Sequence, residues 1–297
     1  MAAGVEADTA TFLEHRNLLF TVAYELLGSA ADAEDVLQEA WLRWSGVDLA
    51  EIRDRRSYLV RIVSRLALDR IRQLGRRKES YVGPWLPEPL LTSPDVAEDV
   101  ELAESVSMAM LLVLETLTPT ERAVFVLRDV FDLGYDEIAA AVDKSAAAVR
   151  QIAHRARQHV AVRRPRGLAT ATEAREALEA FRRALETGDL QGLLDRLAPD
   201  VVWVSDGGGL RQAALRPVAG AEKVVRLIAG ILGKVDGVVT AHLAMLNGGP
   251  ALITRVDGEL DGVVAMRVEN GRITGIYYVR NPEKLTRVDR QTPLALR

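Results

Sequence analysis

Along the first third of the chain, apolar residues return every three or four positions, the spacing that gathers them on one side of a helix. Phe12, Leu18, Leu19, Val22, Ala23, Leu26 and Leu27 form one stripe; Tyr58, Leu59, Ile62, Val63, Leu66 and Ile71 form another. Gly28-Ser29 ends the first helix, and Ser29 or Asp32 caps the next, whose inner side carries Val36, Leu37, Ala40, Trp41 and Trp44. Residues 9–78 therefore read as a compact domain of three or four helices. The pattern then breaks, because Pro84, Pro87, Pro89 and Pro94, with Gly83, forbid a helix between Glu79 and Glu98. That stretch is a linker, but Tyr81, Trp85, Leu86, Leu90 and Leu91 are too apolar for a solvated tether. The linker is expected to dock on something.

Helical spacing resumes at about Glu98 and runs to Arg164, broken at Thr118-Pro119, Asp132 to Gly134 and Asp143 to Ser145. Thr118-Pro119-Thr120-Glu121 is a helix start: a capping threonine, proline at the first helical position and a glutamate at the third. Between Tyr135 and Val160 a short helix with Ile138, Ala139 and Val142 inside is followed by a turn at Asp143-Lys144-Ser145. A second helix with Val149, Ile152, Ala153, Ala156 and Val160 inside comes next. This is helix-turn-helix spacing, and aspartate tolerates the left-handed turn position where glycine is frequent. The outer side of the second helix presents Arg150, Gln151, His154, Arg155 and Gln158, donors suited to base edges and phosphates in a major groove. A structural helical pair with a solvated basic face is the plainer alternative.

Beyond Arg163 to Gly167 the composition changes. Helices are expected over 174–187, 189–198 and 220–233, and strands over 201–205, 235–246, 251–256, 262–268 and 273–279. That order predicts an α+β domain, one curved antiparallel sheet with helices on one face. The organisation expected is 1–78, a linker over 79–104, a second helical domain over 105–166 and the α+β domain over 167–297.

A chain of 297 residues exceeds what one core usually supports, which agrees with several domains. With 48% hydrophobic and 27% charged residues the composition is globular and excludes disorder throughout. The absence of cysteine removes disulfides, thiolate metal sites and a cysteine nucleophile, and His15, His154, His159 and His242 have no ligand spacing. No metal and no cofactor are expected. No apolar run approaches the roughly 20 residues that cross a bilayer, and the N-terminus lacks a signal pattern; the reading places the chain in the cytoplasm, with no membrane partner.

A net charge of -4 argues against nucleic acid only until its distribution is considered. Between Arg53 and Lys78 ten Lys/Arg face two acids, and Arg150 to Arg166 holds six Arg and no acid. Acids gather instead at Asp32, Glu34, Asp35 and Glu39, and again from Asp95 to Glu104. The chain is thus expected to touch phosphates in two places and something basic in another.

The order of acidic helix, basic helix, proline linker and helix-turn-helix is what becomes specific. DAEDVLQEAWLRW, RSYLVRIVSRLALDRIRQ and LTPTERAVFVLRDVFDLGYDEIAAAVDKSAAAVRQIAHRAR resemble regions two and four of extracytoplasmic-function RNA polymerase sigma factors. The resemblance implies that Asp32, Glu34, Asp35, Gln38 and Glu39 face core polymerase, at its β′ clamp helices and β. It implies that Arg61, Arg65, Arg72, Arg76 and Arg77 face the minus-ten DNA, and that Arg150, Gln151, His154 and Arg155 enter the minus-thirty-five major groove. Ser64-Arg65 stands where many members have Arg-Asn.

Tyr81-Val82-Gly83-Pro84-Trp85-Leu86-Pro87-Glu88-Pro89, Asp206-Gly207-Gly208-Gly209 and Asn281-Pro282-Glu283-Lys284-Leu285 are similar to the subgroup with a SnoaL-like C-terminal domain, a cystatin-like cone. That likeness implies that Trp85 to Pro89 and the two C-terminal motifs touch each other, and that the extra domain regulates the sigma domains in cis. Where the subgroup often has a basic residue directly after the triple glycine, this chain has Leu210 and then Arg211.

Two other readings compete. A SnoaL-like pocket can hold a small ligand or retain catalysis, for which Asp206, His242, Asp257 and Asp261 are the candidate acids and bases, with no spacing that links them. A one-component regulator, helix-turn-helix plus effector domain, would leave residues 9–78 without a role.

Overall fold

The computed structural model describes residues 2–47, 52–93, 96, 99–163 and 170–296. Helices α1 (Ala2–Leu27), α2 (Ala30–Trp44) and α3 (Arg55–Glu79) open it. Gly28 takes φ +67, a conformation that favours glycine, and Ser29 rather than Asp32 caps α2, its hydroxyl accepting from the Asp32 N–H. The two apolar stripes meet as a core around Leu19, Leu26, Leu37, Trp44, Leu59 and Val63.

Next come α4 (Val100–Ser105), α5 (Met108–Glu115), α6 (Pro119–Phe125), a π-helical turn (Val126–Val130), α7 (Tyr135–Val142) and α8 (Ala146–Arg163). The Thr118 capping box forms in both directions, and Asp143 ends α7 in the left-handed region at φ +55. One break is absent from the apolar pattern: Ser107 caps α5, accepting from the Met110 N–H at 3.2 Å, and so divides the stretch before Thr118 into two helices. Helix α5, MAMLLVLE, has no polar side, and a helix apolar all round is buried all round. Met110, Leu111, Val113 and Leu114 join the core of the N-terminal helices; Met108, Ala109 and Leu112 join the C-terminal sheet.

The C-terminal part has α9 (Ala171–Thr187), α10 (Leu190–Leu194) and α11 (Ala221–Leu232). Its strands are β1 (Leu197–Asp206), β2 (Val218–Ala219), β3 (Val239–Leu246), β4 (Gly249–Val256), β5 (Glu259–Glu269) and β6 (Arg272–Val279), in the order β2-β1-β6-β5-β4-β3. The α+β class is as expected, with three corrections. The sheet is mixed, because β1 pairs in parallel with β6; such a pairing needs a long crossover, which α11 and the β3–β5 meander supply. The helix expected over 189–198 stops at Leu194, where β1 takes over, and β2 is too short to leave an alternation in the sequence. Helices cover one face through Phe181, Trp203, Val224, Ile228 and Ile276. The second face is covered too: Leu246, Ala251, Val263 and Val279 pack against Leu86 of the linker, Met108 of α5, and Leu285 and Val288 after β6. Among the described residues, no helix is long and apolar enough to cross a membrane.

Candidate nucleic-acid and polymerase surfaces and the junction between them

On α8 the inward positions Val149, Ile152, Ala153, Ala156 and Val160 are buried, which turns Arg150, Gln151, His154 and Arg155 outward, all exposed. The Arg150 guanidinium lies 5.3 Å over the Tyr135 ring, and His154 Nε2 is 3.1 Å from the Gln158 amide. Arg157, one turn further on, reaches Asp129 at 2.6 Å and ties α8 to the π-helical turn. The helix thus presents an open row of donors on a braced support.

The basic side of α3 is less open. Arg61 and Arg65 are exposed, with the Arg61 guanidinium 4.9 Å over the Tyr58 ring. Arg72 pairs with Asp69 at 3.1 Å. Arg76 and Arg77 lie in the last turns of α3, and their side chains fall outside the described residues. Helix α7 stands across from this face: Ser57, Tyr58 and Arg61 form one wall of a cleft of about 430 Å³ whose other wall is Leu133, Glu137, Ala140 and Ala141. Ser57 Oγ donates to Glu137 across it at 2.5 Å. Buried Arg122 of α6 adds a second tie, donating to the Leu26 carbonyl at the end of α1 at 2.8 Å and pairing with Glu115 at 2.7 Å.

Asp32, Asp35 and Glu39 share one side of α2 and Glu34 points elsewhere, and all four are occupied within the chain. Asp32 and Asp35 pair with Arg70 at 2.6 and 3.2 Å, and Glu39 pairs with Arg43 at 2.7 Å. Glu34 pairs with Arg16 at 2.7 Å and with Arg287 at 3.4 Å. Gln38 is exposed. Since Arg287 follows β6, the C-terminal part of the chain reaches the very helix that was expected to meet polymerase. The chain beyond it continues the wrap: Ala295 N–H donates to Thr21 Oγ at 3.0 Å, and Leu294 joins the core of the N-terminal helices.

The three interdomain motifs converge on one carboxylate. Asp206 is fully buried at the end of β1, and four donors fill its oxygens: the Tyr81 hydroxyl at 2.6 Å and Gly208 N–H at 3.0 Å on Oδ1, the Leu86 N–H at 2.8 Å and Lys284 Nζ at 2.7 Å on Oδ2. Lys284 also donates to the Leu86 carbonyl at 2.6 Å and lies 4.1 Å over the Trp85 ring. Asn281 donates to the Tyr81 hydroxyl at 2.8 Å. Burial first, then the Asp206 carboxylate, raises the Tyr81 pKa and keeps it a donor.

The glycines are explained by contact. A Cβ on Gly208 would lie 2.3 Å from the Asn281 amide nitrogen, and one on Gly207 would lie 2.0 Å from the Arg211 carbonyl oxygen. Arg211 itself is exposed and enters through its backbone N–H, which donates to the Gly207 carbonyl at 3.0 Å. Pro282 and Glu283 are exposed at a 3₁₀ turn, while Leu285 is buried under the sheet.

The same linker segment is sewn to the first helices. Glu88 caps the N-terminus of α2, Oε2 accepting from the Ala30 N–H at 2.7 Å, and its own carbonyl accepts from the Tyr24 hydroxyl at 2.6 Å. Pro87 and Pro89 are buried on either side of it. The Trp85 ring sits on Gly28, where a Cβ would come within 2.7 Å of it.

Several contributors to this junction carry no signal in the sequence reading. Asn247, at the β3–β4 turn, donates to the Tyr24 hydroxyl at 2.6 Å and to the Val106 carbonyl at 3.0 Å, and accepts from the Leu90 N–H at 3.0 Å. One side chain thereby joins α1, the linker, the α4–α5 bend and the sheet. The Asn247-Gly248 pair announces a hairpin turn but not what the turn touches.

The candidate catalytic groups do not meet. Asp206 is saturated at the junction, His242 is exposed on edge strand β3, and Asp257 holds a turn through the Val238 N–H at 2.9 Å. Asp261 lies at a small cavity, held by Tyr278 and Arg280.

Known proteins resemble this chain over both helical parts and beyond them. A Sigma-70 region 2 model matches residues 11–77, and a Sigma-70 region 4 model matches residues 107–160. The chain is 37% identical over 292 residues to the ECF RNA polymerase sigma factor SigJ of Mycobacterium tuberculosis, covering 94% of this chain and 93% of that protein. It is 34% identical over 280 residues to the probable ECF RNA polymerase sigma factor SigI of the same species, covering 93% of this chain and 94% of that one. The crystal structure of M. tuberculosis SigJ superposes with a TM-score of 0.74 at 36% identity, covering 97% of this chain and all of the other. With both sigma regions in order, and likeness that extends through the C-terminal α+β domain, the chain belongs to the extracytoplasmic-function RNA polymerase sigma factors.

Proposed function

We propose that this sigma factor is restrained in cis by its SnoaL-like domain, and that the closed arrangement described above is its resting form. Residues 1–78 and 105–166 work as the two promoter-binding domains, 79–104 as the linker and 167–297 as the regulator. The observation that carries this reading is the Asp206 junction, where the linker is held between the C-terminal motifs and α2. With α7 facing the basic side of α3, and Arg287 on Glu34, promoter and polymerase surfaces are partly covered at once. Opening would release Glu34 from Arg287 and uncover the α3 face at Arg61, so that Asp32, Glu34, Asp35, Gln38 and Glu39 can meet the β′ clamp helices and β, and Arg61, Arg65, Arg72, Arg76 and Arg77 the minus-ten DNA.

Trp85→Ala tests it. Loss of the ring from Gly28 and Lys284 should raise transcript yield from a cognate promoter with core polymerase, with the far-UV circular dichroism of the full chain unchanged; output equal to the parent's would refute restraint through the linker.

At minus-thirty-five, Arg150, Gln151, His154 and Arg155 read the major groove. Arg150→Ala should weaken promoter binding by holoenzyme by about 1–3 kcal/mol and relax selectivity at the bases it faces. Competition between promoter and non-specific duplex measures this, and an equal loss on both would reduce Arg150 to a phosphate contact.

The C-terminal domain acts as a regulator rather than a catalyst. Support comes from the separation of Asp206, His242, Asp257 and Asp261, which leaves no acid–base pair.

A further inference from the structure

Between α9, α11 and the inner face of the sheet lies a cavity with an apolar rim: Leu185, Ile231, Leu232 and Val256 line it and are each part-exposed. Behind them Phe181, Trp203 and Ile228 are buried. The indole N–H of Trp203 is buried without a hydrogen-bond partner, a costly state for a donor. The other polar groups lining the cavity satisfy one another: Asp261 accepts from Tyr278 and Arg280, and the Thr254 hydroxyl is 3.1 Å from that of Tyr278. One cation and one anion already balance, so an added charge would find no partner.

Arg280 looks both ways. Its side chain lines the cavity, while its backbone N–H donates to the Asp206 carbonyl at 2.7 Å and its Nη1 donates to the Gln212 carbonyl at 2.5 Å, just beyond the triple glycine. The next residue, Asn281, holds the Tyr81 hydroxyl.

We propose that this cavity binds a small, uncharged, mainly apolar molecule with one hydrogen-bond acceptor, which takes the Trp203 N–H, and that Arg280 carries its arrival to the linker. The proposal rests on the reading that the C-terminal domain holds the linker, and gives that hold a signal. At about 30 Å³ the cavity has room for about one water. A larger guest enters only by moving the rim, so binding and displacement beside Arg280 are one event.

The test follows the indole N–H resonances of the four tryptophans in the ¹⁵N-labelled full-length protein, assigned with Trp203→Phe and Trp85→Phe. The probes are acetophenone, ethylbenzene as its acceptor-free counterpart and benzoate as a charged one. Acetophenone should shift the Trp203 resonance and, with it, that of Trp85, and should bind roughly tenfold more tightly than ethylbenzene. Benzoate should leave both unmoved. Arg280→Gln should keep the Trp203 shift and lose the Trp85 shift. No Trp203 shift at millimolar acetophenone would mean a cavity for water only. Equal affinity for ketone and hydrocarbon would overturn acceptor recognition, and a Trp203 shift without a Trp85 shift in the parent would overturn the relay. None of these readouts uses polymerase, so their failure stands apart from failure of the transcription test on Trp85→Ala.

Discussion

Asp206→Ala is expected to release the linker from the C-terminal domain while both helical domains stay folded. The carboxylate is fully buried and faces the Lys284 ammonium, whose side chain is 12% exposed. Removing it takes the buried carboxylate from the Lys284 ammonium and the acceptor from the Tyr81 hydroxyl and the Leu86 N–H. Breaking one side of a buried ion pair costs about 3–5 kcal/mol, which is a factor of roughly a hundred to several thousand in the closed-to-open ratio. Limited proteolysis should then cut within residues 80–91 far faster than in the parent, and transcription with core polymerase should rise. Asp206→Asn, which keeps an acceptor but not the charge, should fall between. If the linker of Asp206→Ala is cut no faster than that of the parent, the carboxylate is not what holds it.

Raising the pH should loosen the packing of α1 against α4, and Glu25 is the reason. Its side chain is buried at 1% exposure, with Oε1 accepting from the Ser105 hydroxyl at 2.8 Å and Oε2 without a partner. Burial raises the carboxyl from its ordinary 4.5 to about 8, with the Ser105 hydrogen bond opposing. The folded form therefore keeps a proton that the opened form has lost. Its stabilising contribution is complete below about 4.5, declines as pH rises and is gone once pH passes about 8. At about 1.4 kcal/mol per unit, the span amounts to several kcal/mol. Urea midpoints measured from pH 5 to pH 8.5 should fall for the parent and stay nearly flat for Glu25→Gln, which fills the site without a charge to gain. Parallel curves for the two proteins would acquit Glu25.

Much of the molecule was legible because its causes are local. The Ser29 and Thr118 caps, the left-handed turn at Asp143 and the outward row from Arg150 to Arg155 each depend on residues within about two turns of one another. Errors came where that ceased to hold. The Ser107 break has helical spacing of apolar residues on both sides of it, so periodicity could not mark it. The parallel β1–β6 pair joins the first long strand of the domain to its last, and no alternation within either strand says which neighbour it takes. Of the expected site residues, the linker and C-terminal motifs meet at Asp206, while Arg211, Pro282 and Glu283 stay exposed around it.

Spacing and residue type by themselves determined that this chain has two helical regions, a docking linker and an α+β extension, since helix stripes, caps and prolines act within short stretches of backbone; the sigma character of the two regions came from the likeness of their motifs to a known family. Only the folded chain decided what the extension holds. Asn247 and Tyr24 are 223 positions apart, and Arg287 and Glu34 are 253 apart. Contacts at such distance arise from how whole elements pack, which fixes which buried donor finds which acceptor, and no periodic pattern in the sequence records that choice.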